Sequence, residues 1–213
     1  MNALCTHDFS QDEKEILEEV MNIAFGSASA DLGEIIDIHV SLNAPEVQVT
    51  AVQSVPDYLQ TVRQAHHNIK IIEQNFWGDF TGRSFLAVAG DTENAVAGLI
   101  REVTPNRSEE EDFEIRSNSA LLEIGNILIG ACIGKVGELL STLVTYSPPT
   151  LSDTHKPLSA LLSDFCDPSM TALIVRTLFT FTDKPVNGLI LTVVSPESIA
   201  WMKGALMDFM ENY

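Results

Sequence analysis

The chain has few basic side chains. Among its 213 residues, 12 lysines and arginines stand against 30 aspartates and glutamates, which gives a formal net charge of -18. Binding to a nucleic-acid backbone depends on clustered Lys and Arg, and so does electrostatic attraction to anionic membranes. The composition therefore argues against nucleic acid and membrane surfaces as partners.

Cysteines and long apolar runs are also scarce. The three cysteines, Cys5, Cys132 and Cys166, are an odd number without metal-ligand spacing, which favours reduced thiols. The segment 1–10 lacks the basic start and apolar run of a signal peptide, and the most apolar stretch, 127–136, is too short to span a bilayer. We therefore predict a cytoplasmic protein with no membrane insertion.

Motifs for phosphate or metal binding are missing as well. No glycine-rich loop precedes a Lys-Ser/Thr pair, and the adjacent His66 and His67 have no cysteine or His-x3-His partner nearby. We predict no metal site and no cofactor of the protein's own.

What the chain does contain is one pattern in two copies. Each copy has a glutamate, an asparagine three residues later and a proline 23 residues after the asparagine. The copies are Glu19, Asn22 and Pro45, and, 104 residues later, Glu123, Asn126 and Pro149. A repeat at one fixed offset predicts a single domain, 1–213, built from two halves at about 10–104 and 108–213, with any site present in duplicate.

Helix and strand patterns follow the same order in both halves. Ser10 and Glu13 form a capping-box sequence, and apolar residues at helical spacing predict a helix from about 11 to 37 and its counterpart from about 108 to 143. After an alternating segment at 47–51, strands are predicted at 69–76, 83–89, 171–181 and 188–194, with further helices after Asp91 and after Ser195.

The short turns between successive strands favour antiparallel pairing. We therefore predict an α+β fold, a two-layer helix/sheet sandwich with a largely antiparallel sheet, an internal pseudo-two-fold repeat and two long motif helices.

The polar residues of each motif share one face of their helix, because positions i, i+4 and i+7 form one narrow stripe. Each stripe ends with a glycine. The stripe of the first helix contains Glu15, Glu19, Asn22 and Gly26, and that of the second contains Ser119, Glu123, Asn126 and Gly130. One interpretation is a solvated face whose glycines permit close helix contacts within the protein. The other is close approach by another macromolecule, and the duplication favours it.

An asparagine does not titrate usefully near neutral pH and is therefore no general base. Its carboxamide can accept a hydrogen bond from water and donate another, which suits orienting a water molecule for in-line attack. Glutamine has a comparable water-positioning role in GTPases. A carboxylate one helical turn away suits pairing with a lysine of a partner.

The pattern [D/S]-x3-E-x2-N-x22-P is the signature of the CheC, CheX and FliY family of chemotaxis phosphatases, which this chain resembles. The second copy matches it at every defined position, whereas the first has Glu15 where the pattern has Asp or Ser. The stretch 121–127 and the glycine-containing turn at 76–82 are also similar to CheC, and two copies in one chain resemble CheC more than the shorter CheX.

The resemblance implies an enzyme, a phosphatase that hydrolyses the aspartyl phosphate of a CheY-like response regulator. Glu19 and Glu123 would anchor the regulator, while Asn22 and Asn126 would enter its active site and position water. The neighbouring stripe residues Ser119, Glu15, Gly130 and Gly26 would contact the partner.

The resemblance also assigns Mg2+ to the regulator and makes CheD a candidate second partner. Glu15 adds negative charge to the first site, so the second site is predicted to be the more active one. Alternatives are a non-catalytic CheC-like module that regulates CheD or a receiver domain, a flagellar-switch-like interaction protein, and a receiver-binding protein outside chemotaxis.

Overall fold

Three long helices and eight strands are present in the part of the chain that the computed structural model describes, residues 9–36, 40–43, 45–55, 57–58, 70–88, 111–152, 170–181 and 184–212. The helices are α1 (Gln11–Ile36), α2 (Glu111–Leu139) and α3 (Pro196–Asn212). The strands are β1 (Val40–Leu42), β2 (Glu46–Ala51), β3 (Lys70–Trp77), β4 (Gly82–Val88), β5 (Thr145–Tyr146), β6 (Thr150–Leu151), β7 (Thr171–Phe181) and β8 (Lys184–Val194).

All eight strands join one antiparallel sheet in the order β1-β7-β8-β4-β3-β5, with β2 also paired to β7 and β6 to β3. The two central strands come from different halves, and Leu86 of β4 lies opposite Ile190 of β8, 104 positions later. The predicted α+β fold with an internal pseudo-two-fold repeat is confirmed.

The two halves differ by one residue in the register of their outer strands. Thr150 of β6 pairs with Glu73 of β3, whereas Glu46 of β2 pairs with Arg176 of β7, so β3 and β7 correspond at an offset of 103. In consequence, the register position that Gln74 occupies in β3 belongs to Thr177 in β7.

The capping box predicted at the start of α1 is present. The Ser10 amide donates to Glu13 Oε2 at 2.6 Å, and the Glu13 amide donates to Ser10 Oγ at 3.1 Å. Glu13 also lies 3.3 Å from Lys203 Nζ of α3. Partial burial works to raise the pKa of Glu13, but the Ser10 hydrogen bonds and Lys203 outweigh it and hold that pKa below its usual value.

α2 ends at Leu139, four residues before the predicted end at 143. Ser141 adopts a left-handed conformation with φ of 58°, which stops the helix. The Thr142 amide donates to the Gly137 carbonyl at 2.8 Å and the Ser141 amide to the Glu138 carbonyl at 3.1 Å. These two bonds are the Schellman pattern, formed here with serine where glycine is more usual.

The start of α3 is the predicted one, with Pro196 as the first helical residue. The Ser198 amide donates to the capping Ser195 Oγ at 3.3 Å. Buried Ser198 also joins the helix to the β3–β4 turn, since its hydroxyl accepts from the Thr81 amide at 2.9 Å and donates to the Thr81 carbonyl at 3.0 Å.

The helices pack on one face of the sheet and enclose the larger apolar core. Within it, Phe80 contacts Phe76 and stacks on Trp201 of α3, with ring centroids 5.2 and 5.4 Å apart respectively. The opposite face of the sheet carries a second apolar cluster, in which Val52 and Val55 pack against strand residues.

The short strands β1, β5 and β6 were not predicted, and β8 begins at Lys184, four residues before the predicted start at 188. The helix predicted after Asp91 lies outside the described residues. The boundaries of the single domain 1–213 and its halves therefore stay a prediction.

Candidate functional site

Both predicted stripes lie on outward faces of their helices. In α1, Glu15, Glu19, Asn22 and Gly26 are exposed; in α2, Ser119, Glu123 and Asn126 are exposed and Gly130 is half-buried. Each helix therefore presents a carboxylate and a carboxamide, three residues apart, to solvent.

The glycines of the stripes serve two different purposes. A Cβ built on Gly26 or Gly130 meets no atom of the described residues within 4 Å, so that part of the structure leaves the surface next to each asparagine open to a docking partner. Farther along α2, a Cβ on Gly134 would lie 3.3 Å from Tyr146 Oη, and one on Gly137 would lie 2.8 Å from Val144 Cγ2. Close packing within the protein explains these two glycines, whereas open surface surrounds the first two.

Tyr146 contacts α2 at Gly130, the last residue of the stripe. Its hydroxyl donates to the Gly130 carbonyl at 3.2 Å. Burial, with a smaller contribution from Cys132, raises the pKa of Tyr146 to about 12, so the phenol stays protonated and remains a donor at neutral pH. Burial likewise raises the pKa of the Cys132 thiol, which is inert rather than nucleophilic.

The Asn126 side chain is held from beneath by a residue that the motif does not include. Gln74 of β3 is 1% exposed, and its Nε2 donates to Asn126 Oδ1 at 2.8 Å. The same nitrogen donates to the Ser147 carbonyl at 2.9 Å. Asn126 is thus exposed on one side and fixed to the sheet on the other.

Gln74 itself is incompletely satisfied. Its Oε1 is buried and has no hydrogen-bond partner among the residues that the structure describes. An unpaired buried acceptor of this kind costs about 1–3 kcal/mol of stability.

Gly125 brings α2 close enough for this contact. A Cβ at this buried position would lie 2.7 Å from Ile72 Cγ2 of β3, closer than real contacts allow. The corresponding residue of α1, 104 positions earlier, is the buried Met21. The first helix therefore carries a long side chain toward the core at the point where the second carries none.

The β5–β6 loop explains why the motif extends to a proline. Ser147 and Asn75 of β3 join at two points: the Ser147 amide donates to the Asn75 carbonyl at 3.0 Å, and the Asn75 amide donates to Ser147 Oγ at 3.1 Å. This pairing places the Ser147 carbonyl against Gln74. Pro149 fixes the backbone of the same loop, because proline restricts both its own φ and the residue before it.

The first site has a different environment. Glu15 accepts a hydrogen bond from Gln11 Nε2 at 2.9 Å. No side-chain hydrogen bond joins Asn22 to any other residue in the described part of the chain. The repeat therefore preserves the two exposed pairs but not the support beneath them.

The described residues contain no group of three or more His, Cys, Asp or Glu side chains placed to hold a metal ion. His66 and His67 lie outside those residues. Among the helices that are described, none has the length and apolarity needed to cross a membrane.

No protein-family model matches the chain. The flagellar motor switch phosphatase FliY of Bacillus subtilis (strain 168) is 25% identical over 142 residues, which are 67% of this chain and 36% of that protein. The chain thus matches little more than a third of the length of this curated relative.

Several solved structures share the fold. FliY of Thermotoga maritima has a TM-score of 0.66 at 18% identity, covering 94% of this chain and 98% of that one. FliM in the FliM-SpeE complex from H. pylori has a TM-score of 0.61 at 10% identity, covering 95% and 98%. The duplicated motif and the sequence similarity to FliY together support a protein of the CheC, CheX and FliY family.

Proposed function

We propose that this protein is a phosphatase that hydrolyses the aspartyl phosphate of a CheY-like receiver domain. The observation that carries the proposal is the presentation of Glu123 and Asn126 on one outward face of α2, with open surface at Gly130 directly beyond them. The sequence similarity to FliY of Bacillus subtilis, which is named a phosphatase, supports the same activity.

In the proposed reaction the protein supplies positioning rather than covalent chemistry. Asn126 enters the receiver's active site, and its carboxamide holds a water molecule in line with the acyl phosphate. The water oxygen forms a bond to phosphorus as the bond from phosphorus to the aspartyl oxygen breaks, which releases inorganic phosphate and a free aspartate.

Glu123 anchors the receiver through a basic side chain of the partner, in keeping with its exposure and its place one turn before Asn126. Mg2+ belongs to the receiver, where it neutralises charge on the phosphoryl group. Asn22 and Glu19 form a second, slower site of the same kind. CheD is retained as a proposed second partner, and the cytoplasm as the proposed location.

The test is phosphate release from a CheY-type receiver domain that has been phosphorylated with acetyl phosphate in the presence of Mg2+. Asn126→Ala should lower the rate by about 100-fold at that site, because the water loses its positioning group. Asn22→Ala should cause a smaller loss, and the double variant should approach the autodephosphorylation rate of the receiver. Gln48→Ala, which removes an exposed carboxamide from β2, is the matched control and should leave the rate unchanged.

Equal rates for the wild type and the double variant would contradict the proposal. The likeness to FliM favours one other function, a binding module of the flagellar switch type. Retained receiver binding without accelerated phosphate release is the outcome that supports this second candidate.

A further inference from the structure

Gln74 is a polar residue at a core-facing position of the sheet, where packing of the fold does not require a polar side chain. It points toward the helices from β3, on the same strand face as the core residues Ile72 and Phe76. Polar groups at such positions lower stability unless they are fully hydrogen-bonded, and Gln74 Oε1 has no partner among the described residues. A buried polar group kept at a cost to stability is typical of residues that serve function.

The hydrogen bonds of Gln74 determine which way the Asn126 carboxamide faces. The Ser147 carbonyl only accepts, so it turns the Gln74 NH2 group toward itself. The second hydrogen of that NH2 group then requires an acceptor, which is Asn126 Oδ1. The Asn126 oxygen is therefore directed at the sheet with one lone pair occupied, and its own NH2 group and remaining lone pair are left for a partner.

We infer that Gln74 is a positioning residue that orients Asn126 for its reaction; this inference rests on the proposed phosphatase function. An exposed asparagine samples several side-chain rotamers, and fixing one of them before the receiver docks removes that entropic cost from the reaction. Gln74 lies beneath the site and makes no contact with the reacting atoms.

The first site, that of Asn22, has no glutamine at the equivalent strand position. Thr177 holds the register position of Gln74, and Met21 replaces the Gly125 that lets α2 approach the sheet. Asn22 is accordingly presented without a buried carboxamide behind it. The missing glutamine gives the two sites unequal activity for a reason that is independent of Glu15.

The experiment compares Gln74→Met with wild type in single-turnover phosphate release from the phosphorylated CheY-type receiver. Methionine matches glutamine in length and offers no donor for Asn126 Oδ1. The rate at saturating enzyme should fall by about 10- to 100-fold. Affinity for the beryllofluoride-activated receiver should stay within about twofold, because Glu123 is untouched.

Two further readouts separate positioning from a merely structural role. The Tm of Gln74→Met should stay within about 2 °C of wild type, because removal of the unpaired buried oxygen offsets the loss of the hydrogen bonds to Asn126 and Ser147. In an Asn126→Ala background, Gln74→Met should cause no further loss of rate, since the residue it orients is absent.

Ser84→Ala is the matched control. Ser84 is a buried polar residue on the neighbouring strand, paired with Gln74 in register and bonded to Thr192 at 2.9 Å. This variant should lower the Tm and leave the rate at saturating enzyme unchanged.

The outcomes distinguish this inference from the function on which it rests. If Asn126→Ala loses activity but Gln74→Met does not, the positioning role is wrong and the phosphatase function stands. A parallel loss of Tm, affinity and rate in Gln74→Met would also overturn the role, because it would show general damage. If the wild type releases phosphate no faster than the receiver alone, both proposals fail.

Discussion

Asn22 and Asn126 occupy equivalent positions of a repeat, yet they differ in whether a buried side chain is hydrogen-bonded to them. Asn126 is bonded to a buried glutamine at 2.8 Å, whereas no such bond joins Asn22 to another described residue. Both remain exposed to solvent. Duplication has thus preserved the groups that would meet a partner, while the supporting residues have diverged.

The role proposed for Glu123 predicts a defect in binding. Glu123→Lys replaces an exposed anchor for a basic group with a like charge, so affinity for the beryllofluoride-activated receiver should fall by about tenfold or more. Titration of labelled receiver by fluorescence anisotropy measures this change.

Glu211→Lys is the charge-matched control, because it makes the same substitution at an exposed position near the end of α3. It should bind as wild type does. Equal affinity of Glu123→Lys and wild type would remove Glu123 from the docking surface.

At the scale of elements, the end of α2 carries a residue that its backbone conformation does not favour. Ser141 adopts a positive φ at an exposed position that favours glycine, and the helix is closed there by two backbone hydrogen bonds. This turn leads into β5 and the loop that carries Ser147 and Pro149.

Ser141→Gly should therefore stabilise the protein by about 1 kcal/mol, since it relieves the left-handed conformation without removing a packed side chain. Thermal unfolding followed by circular dichroism should show a rise in Tm of about 2–4 °C.

Ser27→Gly is the control and should lower the Tm, because Ser27 is exposed in the middle of α1, where glycine destabilises a helix. A Tm for Ser141→Gly that falls together with that of Ser27→Gly would contradict the assignment of Ser141 as the helix terminator.

How well each element could be predicted depends on how local its signal is. The starts of α1 and α3 follow from capping residues within a few positions, and the structure has both. The end of α2 was missed because a serine performs the function of the usual glycine. Strands of two or three residues, such as β5 and β6, are too short for alternation to reveal and form only because β3 is there to pair with them.

The residues of the candidate site also differ in how local their sequence signals are. Its exposed residues follow from motif spacing and helical periodicity, which are properties of one helix. Gln74 was missed because its partner Asn126 is 52 residues away and the contact depends on sheet register. The signal that was present in the sequence is a glutamine between Ile72 and Phe76, two residues of the strand face that packs into the apolar core.

At the scale of the whole molecule, the sheet fixes the relation between the two halves. Their central strands pair directly, with Leu86 opposite Ile190, and each long motif helix packs into the core on the same side of the sheet. The one-residue difference in register between β3 and β7 breaks this symmetry at the strand position that Gln74 occupies. The molecule is therefore a pseudo-symmetric scaffold with two unequal faces.

The most direct test of the central claim is the structure of this protein bound to a receiver domain that carries beryllofluoride and Mg2+. The account predicts that α2 docks over the receiver's active site and that Asn126 lies within hydrogen-bond reach of the attacking water's position, about 3 Å away. A complex in which the receiver binds elsewhere, with Asn126 and Asn22 both remote from the beryllofluoride, would contradict it.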